Sequence, residues 1–291
     1  MPIPRYQYFA PGDAAKMSRL QLTARQVVEG IITGLHKSPH HGFSVEFTEH
    51  RNYVPGDELR HLDWKAYARS DRHYIKLFEQ ETNLQAMLVL DNSASMTFAG
   101  KMDYARHLAA CLAYLLAEQQ DLAGLAAIDE SIHVELAPGS TAGHLDRLFV
   151  ALQQLEAGKK TDFAAQLHAL VQRLPRRSLV ILISDLWMDA PQLSGALQHL
   201  RYRKHQGIVL HLLDKAELEL PYDRPVTLVD LETDQTLQII PADLRATYQR
   251  AVQEHLTDLR RICNDCDVEY QAFDVRQPYD RALVQWLSRR K

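Results

Sequence analysis

The sequence has little cysteine and no long apolar stretch, and each shortage excludes a class of protein. Three cysteines in 291 residues do not make the disulfide framework of a small secreted protein. No run approaches the roughly 18 consecutive apolar residues of a membrane-spanning helix. The opening residues, Met1–Tyr6, lack the charged start and apolar core of a secretory signal. We therefore expect a cytoplasmic protein with reduced thiols and no membrane span.

A strong excess of charge of one sign is also missing. The net charge is −4, the isoelectric point is ≈ 6.4, and acidic and basic residues are mixed along the chain. Such a chain has no general attraction for nucleic acid or for an anionic membrane. Hydrophobic residues make up 46% of the sequence, which is enough for a sizeable core. The length allows one large domain, or one domain with an elaborated extension.

The cysteines that are present have simple structural interpretations. Cys111 lies on the apolar stripe of a predicted helix, where we expect it to be a small buried hydrophobe. Cys263 and Cys266 form one C-x-x-C sequence at the end of a long predicted helix. Because no second pair and no convincing histidine partner accompanies them, zinc binding is not favoured there.

From residue 86 onward, strand-sized apolar runs alternate with helical apolar periodicity. The predicted strands are Ala86–Leu90, Leu122–Ile128, Ile132–Leu136, Leu179–Ile183, Ile208–Leu213 and Val268–Phe273. Only Asp129–Ser131 separates the second strand from the third, so these two form a hairpin, and the other connections contain helices. This order predicts an α/β, Rossmann-like fold, in which helices cover both faces of a mostly parallel six-stranded sheet. A later pair, Val226–Leu231 and Thr236–Ile240, predicts an inserted β-hairpin.

The first 83 residues differ from the rest of the chain. An amphipathic helix is predicted between Leu20 and Leu35, and strands at Phe43–Glu49 and Tyr74–Glu79 flank a polar, aromatic middle. This segment has too little apolar sequence for an independent core. We expect an N-terminal extension at residues 1–83 that packs on a sheet domain at residues 84–291.

One loop carries three hard oxygen groups directly after a predicted strand. The apolar run that begins at Met87 ends in Asp91, and Ser93 and Ser95 follow at spacings of two residues. Ligands of open α/β sheets usually bind at the carboxyl ends of the strands. Mg²⁺ prefers oxygen donors and keeps several waters, so a few such groups can hold it. The alternative interpretation is local, because Asp or Ser after a strand is often only a helix N-cap.

Two later residues supply the partners that a cation site at this edge would need. Thr161 opens a predicted helix within Gly158–Asp162, and Asp185 closes the apolar run that starts at Leu179. Thr161 thus lies at the start of a helix and Asp185 at the end of a strand, and both follow the loop of Asp91, Ser93 and Ser95 in the chain. Five oxygen-bearing side chains therefore predict a site for Mg²⁺ or Mn²⁺, namely Asp91, Ser93, Ser95, Thr161 and Asp185.

The N-terminal extension contains a charged box at Arg51–Arg69. Pro55-Gly56-Asp57 fits a tight turn, and arginines alternate with aspartates on either side of it. The box is either a structural or partner-docking clamp of guanidinium–carboxylate pairs, which we favour, or an anion-binding or catalytic centre. His36, His40 and His41 lie close together before the box, where a solvated loop is favoured over a zinc site.

The box and the five oxygen-bearing residues together resemble a known family. Asp91, Ser93, Ser95, Thr161 and Asp185 look like the metal-ion-dependent adhesion site of von Willebrand factor A domains. With the box about 20 residues before it, the chain resembles the bacterial "domain of unknown function 58" proteins from about Gly42 to its C-terminus. Members are usually encoded beside MoxR-type AAA+ ATPases. Many of them carry transmembrane helices before the box, where this chain has one amphipathic helix.

The resemblance implies a function as well as a fold. It implies a non-enzymatic, divalent-cation-dependent interaction protein, adaptor-like or chaperone-like, that acts with a MoxR-type AAA+ ATPase. The ATPase or a client protein would donate an acidic side chain to the bound ion. The alternative is a metal-dependent hydrolase in which the same ion activates water and Asp57, His61 or Asp63 acts as the base. A purely structural sheet with a degenerate site is less favoured, because none of the five residues is missing.

Overall fold

The structure, a computed structural model, describes residues 19–35, 49–52, 74–77, 83–158, 162–231 and 235–289. The chain divides into two compact units, residues 1–32 with 84–291, and residues 33–83. In the smaller unit, β1 (Glu49–Asn52) pairs with β2 (Tyr74–Leu77) in the antiparallel sense. Residues 43–48 of the first predicted strand lie outside the described residues. The boundary between residues 83 and 84 stays a prediction.

The larger unit is built on the six-stranded sheet that the apolar runs predict. Its strands are β3 (Gln85–Asp91), β4 (Leu122–Ile128), β5 (Ile132–Gly139), β6 (Leu179–Ser184), β7 (Gln206–Leu213) and β10 (Val268–Asp274). They lie in the order β10-β7-β6-β3-β4-β5, and every neighbouring pair is parallel except β4 with β5. The central strands β3 and β6 are apolar and buried almost throughout, since helices cover both faces. The predicted fold class is confirmed.

The helices follow the predicted apolar stripes, with two short additions. The α-helices are α1 (Arg19–Leu35), α2 (Lys101–Glu118), α3 (Ala142–Gln154), α4 (Phe163–Arg173), α5 (Ala190–Tyr202), α6 (Lys215–Glu219), α7 (Pro241–Asp265) and α8 (Tyr279–Arg289). A 3₁₀ helix, Ala94–Gly100, precedes α2. The 3₁₀ helix and α6 were not predicted, because one or two turns are too short to show a periodic apolar stripe.

Several local predictions can be compared with the structure directly. The inserted hairpin forms from β8 (Val226–Val229) and β9 (Thr236–Ile239), paired in the antiparallel sense. Cys111 is fully buried, as expected. No helix within the described ranges is long and apolar enough to cross a membrane.

Candidate cation site at the carboxyl edge of the sheet

The site lies where two adjacent central strands end. Strands β3 and β6 run parallel with Leu90 opposite Ile183, so the residues that follow reach the same edge of the sheet. Asp91 closes β3 and is 2% exposed, and Asp185 follows β6 and is 1% exposed. The sheet therefore places two buried carboxylates, far apart in sequence, side by side. Neighbouring negative charges with little solvent favour a cation or a proton between them.

The loop after β3 adds two hydroxyls to this pair. The backbone N–H of Ser93 donates to Oδ1 of Asp91 at 2.9 Å, which curls the loop back over the strand end. Oγ of Ser93 lies 2.9 Å from Oγ of Ser95, which donates to Oδ1 of Asp185 at 3.2 Å. Four of the five predicted residues thus come together. The fifth, Thr161, lies outside the described residues.

Ser184 fixes the Asp91 carboxylate, and it was not predicted from the sequence because it is the last residue of an apolar strand. Its Oγ donates to Oδ2 of Asp91 at 2.5 Å and accepts from the backbone N–H of Leu186 at 2.9 Å. Burial, and then the negative charge of Asp185, raise the pKa of Asp91 to about 6. The pair of carboxylates therefore carries more negative charge than its buried surroundings accommodate easily.

A fully buried lysine shares the site. Lys101, the first residue of α2, is 0% exposed, and its ammonium donates to Oδ2 of Asp185. The same ammonium donates to Oε1 of Glu217 at 2.7 Å. Lys101 was not predicted as a site residue, although the sequence carries a signal for it. Lys101 falls on the buried stripe of α2 with Ala105 and Leu108, where an unpaired charge would be strongly disfavoured.

Glu217 connects the site to the short helix α6. Its Oε2 accepts from the backbone N–H of Asp214, which completes a capping box at the start of that helix. Its Oε1 also accepts from Nε1 of Trp187 at 3.1 Å. The Trp187 ring is 38% exposed and stacks on His255 with centroids 5.2 Å apart. An aromatic side chain therefore stands at the rim of the site with its polar edge held in place.

A neutral histidine supports the loop that carries Asp185. Nε2 of His211 is 2.7 Å from the backbone carbonyl of Asp185, and Nδ1 is 2.7 Å from the hydroxyl of Tyr270. A carbonyl can only accept, so Nε2 carries the proton and Nδ1 accepts from the tyrosine. Burial lowers the pKa of His211 to about 3. The imidazole is therefore neutral near physiological pH.

We expect His211→Gln to make the free energy of unfolding depend less on pH below about pH 6.5. Unfolded His211 takes up a proton near pH 6.5, whereas the folded imidazole does so only near pH 3. The unfolded state therefore binds more protons in this window, and its share of stability is lost as pH falls from 6.5 toward 3. Gln keeps an N–H donor for the carbonyl of Asp185 without titrating. Urea unfolding from pH 4 to 8 measures the difference between variant and wild type.

In the same experiment, His133→Gln is the control, because His133 is largely exposed beside Asp129. A constant difference between His211→Gln and wild type across the pH range would contradict the neutral, buried assignment of His211.

The donor set fits the chemistry of Mg²⁺ or Mn²⁺. Asp91 and Asp185 supply carboxylate oxygens, and Ser93 and Ser95 supply hydroxyl oxygens, which are the ligands that hard cations prefer. Across the described part of the chain, no three His, Cys, Asp or Glu side chains cluster as metal ligands.

None of the other residues singled out in the sequence is described as part of the candidate cation site. Cys263, in the last turn of α7, and Cys266, the C-cap of that helix, are buried in the core as free thiols. Apart from the backbone of residues 51–52, the charged box lies outside the described residues, and so does the cluster of His36, His40 and His41. The same holds for Asp57, His61 and Asp63, so the hydrolase alternative stays untested.

Sequence comparison relates the chain to proteins without an assigned activity. The family model described as "Protein of unknown function DUF58" matches residues 49–258, well over half of the chain. The uncharacterized protein Rv1480 of Mycobacterium tuberculosis is 27% identical over 296 residues, covering 97% of this chain and 90% of that protein. The uncharacterized protein MAV169 of Mycobacterium avium is 24% identical over 148 residues, covering 50% of this chain and 85% of that protein.

Structural comparison finds similar folds at low sequence identity. A conserved hypothetical protein, BatB from Bacteroides thetaiotaomicron, is 14% identical with a TM-score of 0.43, covering 71% of this chain and 98% of that chain. The SpRpn10 VWA domain is 13% identical with a TM-score of 0.39, covering 70% of this chain and 95% of that chain. Likeness at this level carries no argument about what the protein binds.

Proposed function

The chain belongs to the DUF58 family, and from that premise we propose that it is a divalent-cation-dependent protein-interaction module. Its mostly parallel six-stranded sheet has the architecture that the resemblance to von Willebrand factor A domains implies, and that resemblance suggests a protein-interaction domain. One observation carries the proposal further than the fold does. The carboxylates of Asp91 and Asp185 and the hydroxyls of Ser93 and Ser95 meet at the carboxyl edge of the sheet.

These side chains, with Thr161, would hold Mg²⁺ or Mn²⁺. When bound, the ion supplies a coordination position that an acidic side chain of another protein can occupy. The serine hydroxyls are neutral donors, so they would leave much of the ion's charge available for that side chain. The chain's own contribution is to fix the donors: Ser184 orients Asp91, and His211 holds the backbone of Asp185.

The rim of the site has the character of a contact surface. Phe98 and Trp187 are 36% and 38% exposed, and both adjoin the Lys101–Glu217 pair. Aromatic residues around a desolvated polar centre are typical of the residues that dominate binding energy in interfaces. A partner would therefore place an acidic side chain at the cation and apolar groups on the aromatic rim. The family resemblance suggests a MoxR-type AAA+ ATPase, or its client, as that partner.

We expect Ser93→Ala combined with Ser95→Ala to weaken cation binding strongly without unfolding the protein. The change removes both neutral donors but no buried charge. We expect the affinity for Mn²⁺ to fall by at least roughly 100-fold, because the loss of even an outer-shell partner of a metal ligand typically costs 10–100-fold. Isothermal titration calorimetry measures the affinity, and circular dichroism checks the fold. Ser288→Ala, on the exposed face of α8, is the matched control.

The partner is tested by capture of a MoxR-type ATPase on the immobilised full-length chain. Binding should disappear in EDTA and in the double serine variant, and should persist in Ser288→Ala. Added salt should weaken it only modestly, because a desolvated contact is screened less than exposed charges. Capture that is unchanged in EDTA would reject the cation site as the docking point and favour the charged box at Arg51–Arg69.

A further inference from the structure

Lys101 places a positive charge of the chain itself inside the candidate site. The side chain is 0% exposed, and its ammonium donates to Oδ2 of Asp185 and to Oε1 of Glu217, the latter at 2.7 Å. The ring of Phe98 covers it with the centroid 5.7 Å away. Because water does not reach this ammonium, its interactions with nearby charges are screened far less than those of a surface lysine.

The carboxylate that holds Lys101 is also one of the predicted cation ligands. Oδ2 of Asp185 accepts from the ammonium, while Oδ1 accepts from Oγ of Ser95 at 3.2 Å. Asp185 therefore stands between the lysine and the pair of serine hydroxyls. A divalent cation held by those hydroxyls would share the single negative charge of Asp185 with Lys101.

We propose that Lys101 is a resident cation that competes with Mg²⁺ or Mn²⁺ for the charge of Asp185 and so keeps the affinity of the site for the ion low. This inference rests on the proposed cation site. Its consequence is regulatory: the carboxylate of a partner adds the negative charge that Lys101 offsets, so ion and partner bind more tightly together than either does alone.

Glu217 allows a second test, in which the expected change in ion affinity has the opposite direction. Its carboxylate is 15% exposed and shares the ammonium with Asp185. Removing the charge of Lys101 should strengthen ion binding, because a repulsive neighbour is lost. Removing the charge of Glu217 should weaken ion binding, because the ammonium then depends on Asp185 alone. A merely structural role for this triad does not predict opposite effects.

The test is titration of MnCl₂ into the full-length chain by calorimetry. We expect Lys101→Met to bind Mn²⁺ at least about tenfold more tightly than wild type, because two cations that share one carboxylate repel each other strongly in a partly desolvated site. We expect Glu217→Gln to bind Mn²⁺ about threefold more weakly, because a carboxylate that offsets the charge of the ammonium is lost. Lys215→Met is the charge-matched control, because Lys215 is largely exposed and pairs with Glu219 on the surface of α6. Adding Ser93→Ala and Ser95→Ala to Lys101→Met should erase the gain.

Each other outcome has a distinct meaning. Equal or weaker binding by Lys101→Met, with wild type still binding Mn²⁺, overturns the competition and leaves the proposed function standing. The absence of Mn²⁺ binding in wild type and all variants overturns the cation site and this inference with it. If Lys101→Met does not fold, Glu217→Gln decides, and unchanged or tighter Mn²⁺ binding by that variant overturns the competition.

Discussion

Replacing Lys101 by Met should lower the free energy of unfolding of the metal-free protein by about 3–5 kcal/mol. The substitution leaves the Asp185 and Glu217 carboxylates without the ammonium that both of them bind. Removing one partner of a buried ion pair costs this much because the remaining charge stays desolvated and uncompensated. Urea denaturation at pH 7.5 in EDTA measures the loss.

Two further variants separate the ion triad from general effects of the substitution. Lys215→Met should change stability by less than about 1 kcal/mol, because its exposed pair with Glu219 contributes little. Glu217→Gln added to Lys101→Met should recover part of the loss, since it removes one of the two stranded charges. A stability loss for Lys101→Met no larger than that of Lys215→Met would mean that the ion pairs of Lys101 with Asp185 and Glu217 do not stabilise the fold.

Asp91→Asn should stabilise the metal-free protein at pH 7.5 by on the order of 2–3 kcal/mol and remove cation binding. Each pKa unit is worth about 1.4 kcal/mol, and burial raises the pKa of Asp91 from 3.8 to about 6. Asn keeps an oxygen for the backbone N–H of Ser93 and places an N–H near Oγ of Ser184, whose oxygen can accept. The substitution also removes the repulsion between the negative charges of Asp91 and Asp185.

The pH dependence of the stability difference between Asp91→Asn and wild type independently tests whether the variant is the more stable protein. Between pH 4 and 6 the folded protein binds more protons at Asp91 than the unfolded chain does, so wild-type stability falls as pH rises through this window. The advantage of Asp91→Asn should therefore vanish near pH 4 and be complete above about pH 6. Excess Mn²⁺ should reverse the order, because only wild type gains stability from binding the ion.

Asp258→Asn, at an exposed position of α7, is the matched control and should show neither effect. A destabilised Asp91→Asn at pH 7.5 in EDTA would show that the hydrogen bonds of the charged carboxylate outweigh its burial. Retained Mn²⁺ affinity in the same variant would place Asp91 outside the cation site.

The order of the sheet elements could be predicted from the sequence because it depends on local patterns. Apolar runs such as Leu179–Ile183 have the length of strands, and the helical stripes between them require crossovers that cover both faces. Elements of only one or two turns have no repeating apolar pattern from which they could be predicted. The helix α6 spans only Lys215–Glu219, and the 3₁₀ helix Ala94–Gly100 contains two residues with non-helical backbone angles.

The residues of the candidate site also fall into two groups, those that local sequence patterns predict and those that only the structure places there. The sequence by itself determined that Asp91, Ser93 and Ser95 share one loop and that Asp185 ends another strand, because strand ends and residue spacing are local properties. Only the tertiary structure decided that Lys101 binds Asp185 and Glu217, which lie 84 and 116 positions away in the chain. Those contacts depend on which strands are neighbours and on how α2 and α6 pack against the sheet edge. Residue spacing carries no record of that packing, since buried charges choose partners by distance in space and not in sequence.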